Sequence, residues 1–196
     1  MPIKPLVCGL LLTGLLSACG QSSEPQEAPR PLDTSMQKPP SADPSQPVSS
    51  GNTPTAADIA AAAALNAQYD PSRDPAADLE TAKVEAKRGG KRIVLNVGNA
   101  ACEPCKVLDE LMGGDAELRS FRDANFVVVK VNRDAANENA AFLSQFAQLN
   151  EYPSLLVLDN DGKLLTTQAG PELRKGEGFD RKKLFDFLKQ WAPPQA

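Results

Sequence analysis

The apolar positions fall into short runs that alternate between two spacings. Ile93-Val94-Leu95-Asn96-Val97 and Phe126-Val127-Val128-Val129-Lys130-Val131 are nearly continuous and rich in β-branched residues, as strands covered on both faces are. They predict strands over Arg92 to Val97 and Phe126 to Val131. Ser154 to Leu158 predicts a third strand. The polar turn Asp159-Asn160-Asp161-Gly162 then returns the chain into a fourth, Lys163 to Gln168, as a hairpin. Helical spacing occupies the intervals. Ala76 to Arg88 turns Leu79, Ala82 and Ala86 inward, and Gly89-Gly90 stops it. Cys102 to Met112 carries Val107, Leu108, Leu111 and Met112 as a stripe. Asp115 caps a shorter helix with Leu118 and Phe121. Asn137 to Leu149 places Phe142, Phe146 and Leu149 at i, i+4 and i+7. Asp180 caps a last helix with Leu184, Phe187, Leu188 and Trp191 on one face. Two strand–helix–strand units predict parallel pairing, and the closing hairpin predicts antiparallel pairing. The expected fold is α/β, with a mixed central sheet flanked by helices on both faces.

Upstream, the pattern changes. Lys4 followed by Leu6 to Leu16 has the charge-then-hydrophobic layout of a secretory signal, too short to span a bilayer comfortably as a helix. Leu16-Ser17-Ala18-Cys19 resembles the bacterial lipobox, in which the cysteine becomes the lipidated first residue. An ordinary signal peptide cleaved before Cys19 is the alternative. Under the lipobox reading, Gly20 is not the aspartate that often marks inner-membrane retention, which favours the outer membrane. Residues 20–57 hold eight prolines, seven serines and no aromatic residue. Such a stretch cannot bury enough apolar area to offset its ordering entropy, so a disordered linker is expected, either a leash for a searching domain or a plain spacer. Asp58 to Gln68 has good helix propensity but little to bury beyond Ile59 and Leu65. Tyr69 to Pro75 then breaks the chain. The expected organisation is a signal peptide over 1–18, lipidated Cys19 and linker over 19–57, a marginal helix and connector over 58–75, the domain over 76–192 and a tail over 193–196.

Composition then removes several chemistries. The 196-residue chain has a formal net charge of −4, which argues against a nucleic-acid partner. It has no histidine, and this excludes Cys-His proteases, Ser-His-Asp hydrolases and His-ligated zinc or copper sites. Cysteines stand at 8, 19, 102 and 105. Signal cleavage would remove Cys8 and lipidation would consume Cys19, leaving Cys102 and Cys105 as thiols in an oxidising cell envelope. Their C-x-x-C follows a strand and opens a helix, which reads as a redox pair in an α/β setting. Half of a zinc site and an inert structural disulfide are the other readings. The first has no further Cys or His in this chain to complete it. No metal and no cofactor is expected.

Strand, C-x-x-C at a helix start and a later X-Pro entering a hairpin strand together resemble the thioredoxin fold over roughly residues 76–192. The strongest pieces are Cys102-Glu103-Pro104-Cys105 and Tyr152-Pro153. The layout is similar to the periplasmic thioredoxin-like domains of transmembrane thiol–disulfide interchange proteins. It is also similar to bacterial thioredoxin-like lipoproteins in which a Tyr-Asp-Pro segment precedes the domain, as Tyr69-Asp70-Pro71 does here. The resemblance implies a cis peptide at Tyr152-Pro153 facing the dithiol, with Tyr152 offering backbone groups to an extended substrate peptide. A trans proline that merely starts a strand is the alternative.

In the expected chemistry a thiolate attacks a substrate disulfide and a second thiol resolves the mixed disulfide. Cys102, at the helix start, is the expected nucleophile, stabilised by unsatisfied N–H groups and the helix dipole. Cys105, one turn later, is the expected resolving thiol. Lys106 favours the thiolate, whereas Glu103 opposes it and makes the pair more reducing. Pro104 fits a first helical turn, where its missing N–H costs nothing. Two positions depart from the family. Ala101 stands where a tryptophan usually precedes the first cysteine, and Asn96 stands where a buried acid is usual. An amide cannot relay a proton, so slower resolution than in an ordinary thioredoxin is expected.

The leading expectation is a membrane-tethered thiol–disulfide oxidoreductase, monomeric and facing the periplasm. It would exchange disulfides with envelope proteins, more as reductant or electron relay than as oxidase, with a transmembrane electron donor as one candidate partner. A non-catalytic module that docks extended peptides in the Tyr152-Pro153 groove is the second reading. An envelope metal-delivery protein is the weakest, because copper carriers of this fold generally pair histidine with their cysteines.

Overall fold

The structure is a computed structural model that describes residues 53–146 and 148–194. The expected signal peptide, Cys19 and nearly all of the linker lie outside the described residues. In chain order the elements are α1 (Ala56–Ala64), α2 (Pro75–Gly89), β1 (Arg92–Gly98), α3 (Glu103–Gly114), α4 (Ala116–Asn125), β2 (Phe126–Asn132), α5 (Ala140–Leu143), β3 (Ser154–Leu158), β4 (Leu164–Ala169), β5 (Arg174–Lys175), β6 (Gly178–Phe179) and α6 (Arg181–Gln190). A short 3-10 turn, Gly170–Leu173, precedes the small β5–β6 hairpin, which the sequence pattern did not announce.

The main sheet has the order β2-β1-β3-β4. β1 runs parallel to β2, with Arg92 opposite Phe126 and Gly98 opposite Asn132. β3 runs antiparallel to β1, and β4 antiparallel to β3. The mixed sheet agrees with the sequence pattern, but the second expected parallel unit is corrected. β3 enters from the end of the sheet where β2 left, so it runs antiparallel to β2. Of the helix expected over Asn137 to Leu149, only Ala140–Leu143 is helical.

Local hydrogen bonds explain the short helix. Asp134 Oδ1 accepts from the N–H groups of Ala136 and Asn137, Asn137 Oδ1 accepts from Asn139 N–H, and Asn139 is left-handed at φ 46°. Such side-chain turns offer the backbone an alternative to helix. The apolar spacing still serves packing: Phe142 is buried, and Phe146 and Leu149 lean on the same cluster.

The two sheet faces each hold a core. On one, Ile93, Leu95, Val97, Val129 and Leu156 meet Leu79, Ala82 and Ala86 of α2. On the other, Val94, Val128, Leu155 and Val157 meet Leu108 and Met112 of α3, Leu118 of α4, and Leu184 and Leu188 of α6. The caps are local and strong. Asp74 accepts from Ala76 N–H with Pro75 in the first turn of α2, and Gly90 at φ 62° ends that helix in the left-handed conformation that glycine adopts without strain.

The segment before α2 joins the domain. Thr55 and Asp58 form a capping box at α1. Ile59 stays exposed, but Leu65 is buried in the first core. Its carbonyl accepts from Lys130 N–H at 2.8 Å on the outer edge of β2. Among the described residues no helix is long and apolar enough to cross a membrane.

Candidate active site

β1 ends at Gly98, and the loop that follows is built to start a helix. Asn99 Oδ1 accepts from Ala101 N–H at 3.0 Å, and Asn99 Nδ2 donates to Arg133 O at 3.0 Å. Cys102 N–H donates to Asn99 O at 3.2 Å. Cys102 is thereby placed as the N-cap of α3 in extended backbone, and its sulfur accepts from Cys105 N–H at 3.2 Å. Pro104 sits in the first turn, where no intrahelical donor is lost.

Cys102 is half-buried, whereas Cys105 is fully buried, and the two sulfurs are bonded at 2.08 Å. The unsatisfied N–H groups and dipole of a helix start favour negative charge on Cys102 when the bond opens. The opposed influences expected of Glu103 and Lys106 largely cancel. Lys106 Nζ donates to Glu103 Oε2 at 3.1 Å, and both side chains lie in solvent, where such a pair has little reach.

Behind the sulfurs lies a polar cluster on the α3 side of the sheet. Asn96 is fully buried and its Nδ2 donates to Asp109 Oδ1 at 3.0 Å. The opposite amide orientation would set two oxygens together, so the donor faces the carboxylate. Asp109 also pairs with Lys130 Nζ at 2.9 Å, and that ammonium lies 5.3 Å from the centre of the Tyr69 ring. Lys130 stands directly opposite Asn96 in the β1–β2 register. Burial first, and then the charge of Asp109, push the Tyr69 phenol well above the usual tyrosine range.

The Tyr152–Pro153 bond is cis, as the resemblance implied. Val97 pairs with Ser154, so Pro153 falls beside Gly98 at the same sheet edge as the dithiol loop. Arg133 holds this edge together. Its N–H donates to Gly98 O at 2.7 Å, its Nη1 donates to Leu149 O at 3.0 Å, and its guanidinium covers the Tyr152 ring at 5.0 Å. Gly170 closes the other side, donating to Pro153 O at 2.8 Å, and a Cβ there would stand 2.5 Å from that oxygen. Among the described residues no cluster of His, Cys, Asp or Glu could hold a metal ion.

This architecture agrees with the comparisons. Residues 74–160 match the family described as thioredoxin-like. Over these residues the chain has the thioredoxin-like fold. Among solved structures, a disulphide isomerase from Xylella fastidiosa Temecula1 is similar at 23% identity and a TM-score of 0.55, over 62% of this chain and 94% of that one. The oxidised C-terminal domain of DsbD from Neisseria meningitidis is similar at 20% identity and a TM-score of 0.47, over 64% of this chain and 99% of that one. No curated protein matches the chain.

Of the residues singled out in sequence, this thioredoxin-like domain gathers Cys102, Pro104, Cys105 and Asn96, and the register brings Tyr152-Pro153 to the same edge. Cys19 falls outside the described residues. Sequence reasoning missed Asp109, Lys130, Asn99 and Arg133, and gave Tyr69 no role. One signal was available: Asn96 and Lys130 are each the polar interruption of an apolar strand.

Proposed function

We propose that this chain is a membrane-tethered thiol–disulfide oxidoreductase of the bacterial cell envelope, acting on protein substrates through Cys102 and Cys105, as reductant or electron relay. The observation that carries it is the asymmetric pair: a half-buried Cys102 capping α3, bonded to a fully buried Cys105. In the reducing direction, the Cys102 thiolate attacks a substrate disulfide, forming one S–S bond and releasing one substrate thiolate. The Cys105 thiolate then attacks Cys102, closing the internal disulfide and releasing the second. The protein loses two electrons and the substrate gains them.

The reducing direction is supported by the charge around Cys102. Lys106, the cation in the motif, is paired with Glu103, so it adds little positive charge to that of the helix start at Cys102. Tyr152 and cis-Pro153 supply the edge on which an extended substrate chain docks. The tether rests on the lipobox-like Leu16 to Cys19, with the outer membrane favoured by Gly20.

The reading is tested by substitution. Cys102→Ser is expected to abolish disulfide exchange, and Cys105→Ala to accumulate mixed disulfides with envelope proteins. A reduction potential near about −270 mV, that of thioredoxin, supports the reducing role, and one near about −120 mV, that of DsbA, overturns it. Cys19→Ala should release the protein from the membrane fraction. The buried Asn96 in the place of an acid favours a second reading, a non-catalytic peptide-docking module. That reading requires Cys102→Ser to leave the protein's role intact.

A further inference from the structure

We propose that the Tyr69 hydroxyl donates a hydrogen bond to the Cys105 sulfur once the disulfide opens, steadying the thiolate that resolves the mixed disulfide. This rests on the exchange chemistry proposed above and adds a residue to it from outside the dithiol helix. Tyr69 is only 7% exposed, and its Oη has no hydrogen-bond partner among the described residues. A phenylalanine would fill the same space without burying an unpaired donor.

The position of that donor is informative. A Cβ built on Gly98 would stand 2.6 Å from Cys105 Sγ and 3.2 Å from both Cζ and Oη of Tyr69. The hydroxyl and the sulfur thus share the space that the glycine leaves open. The ring is held there by its own segment. Leu65 is buried on one face of the sheet, its carbonyl crosses the β2 edge to Lys130 N–H, and Tyr69 lies under Lys130 Nζ on the other face. Beyond it, Asp70 Oδ1 accepts from Ser72 N–H at 2.8 Å, and Asn137 Nδ2 donates to Pro71 O at 2.8 Å.

In the disulfide, Cys105 Sγ is a weak acceptor; as a thiolate it is a strong one. The charged groups around the ring are Asp109 from α3 and Lys130 from β2. Burial and the Asp109 charge keep the phenol protonated, so Tyr69 acts as a standing donor and never as the base. In the resolving step the Cys105–Cys102 bond forms, the Cys102–substrate bond breaks, and the proton that Cys105 gave up is balanced by the one the departing substrate thiolate takes.

Tyr69→Phe in the full chain keeps the ring and removes one oxygen. Resolution of a Cys102–glutathione mixed disulfide should slow about tenfold at neutral pH, with its pH profile displaced upward by about one unit. The oxidised form should melt at the same temperature as wild type or higher. A wild-type rate and profile overturn the inference, and so does a lower melting temperature of the oxidised variant, which would make the hydroxyl structural. Thiolate absorbance of reduced Cys102→Ser and Cys102→Ser/Tyr69→Phe reads the same contact without catalysis. An upward move of the Cys105 titration in the double variant supports it even if wild type exchanges no protein disulfides, and an unmoved titration refutes it even if wild type is active.

Discussion

Asn96 can hand a hydrogen bond to Asp109 but cannot carry a proton, and that difference sets an expectation for the resolving step. In Asn96→Asp the new carboxyl would lie against Asp109, where Asn96 Nδ2 now sits 3.0 Å from Oδ1. Two carboxylates that close do not both ionise, so the pair keeps a proton near the buried sulfur. Single-turnover resolution of a mixed disulfide should accelerate by roughly tenfold or more, at a cost in stability of about 1–3 kcal/mol for a poorly solvated acid. No acceleration would remove the missing acid as a reason to expect slow resolution. The two polar interruptions, Asn96 and Lys130, were visible in the sequence. Their meeting with Asp109 was not, because it depends on strand register and on which face of α3 turns inward.

Asp115 joins two elements. It accepts from Leu118 N–H at 2.9 Å as the cap of α4, and its two oxygens receive Arg181 of α6 at 2.6 and 3.2 Å. The Arg181 guanidinium first, and the Leu118 N–H next, lower its carboxyl from 3.8 to about 2. The folded value lies below the unfolded one, so this contribution is present above pH 3.8 and is lost as pH falls through about 2. Asp115→Asn keeps a capping oxygen and drops the charge. Its urea midpoint should fall below wild type near neutral pH, and the two should converge near pH 2. Asp115→Ala also loses the cap and should lower Tm by about 4 °C. Both Asp115 and Asp180 were legible as caps because a cap is decided within a few residues. α5 was not, because the side-chain turns of Asp134 and Asn137 compete with a helix that its apolar spacing suggests. The direction of β3 was misread as well, because the β1–β3 pairing joins segments far apart in the chain.

For the whole molecule the question is where the domain begins. Sequence pattern places its start at Ala76, the family match starts at residue 74, and yet Leu65 and Tyr69 are buried in the same fold. β2 is the outer strand of the sheet, and Lys130 N–H on its free side is answered by Leu65 O. A chain starting at Asp74 would leave that donor to solvent, open the first core where Leu65 sat, and bare the Gly98 gap beside Cys105. Leu65→Ala alone should cost about 2–5 kcal/mol, the usual range for emptying a fully buried leucine site. The chain starting at Asp74 should lose more than that relative to one starting at Thr53, and dithiothreitol should reduce its disulfide faster. Urea titration and reduction kinetics of the two lengths measure both. Equal stability and equal reduction rates would make residues 53–73 a passive lead-in. A difference in both would mean that the segment between linker and helix guards the second sulfur as well as connecting the domain.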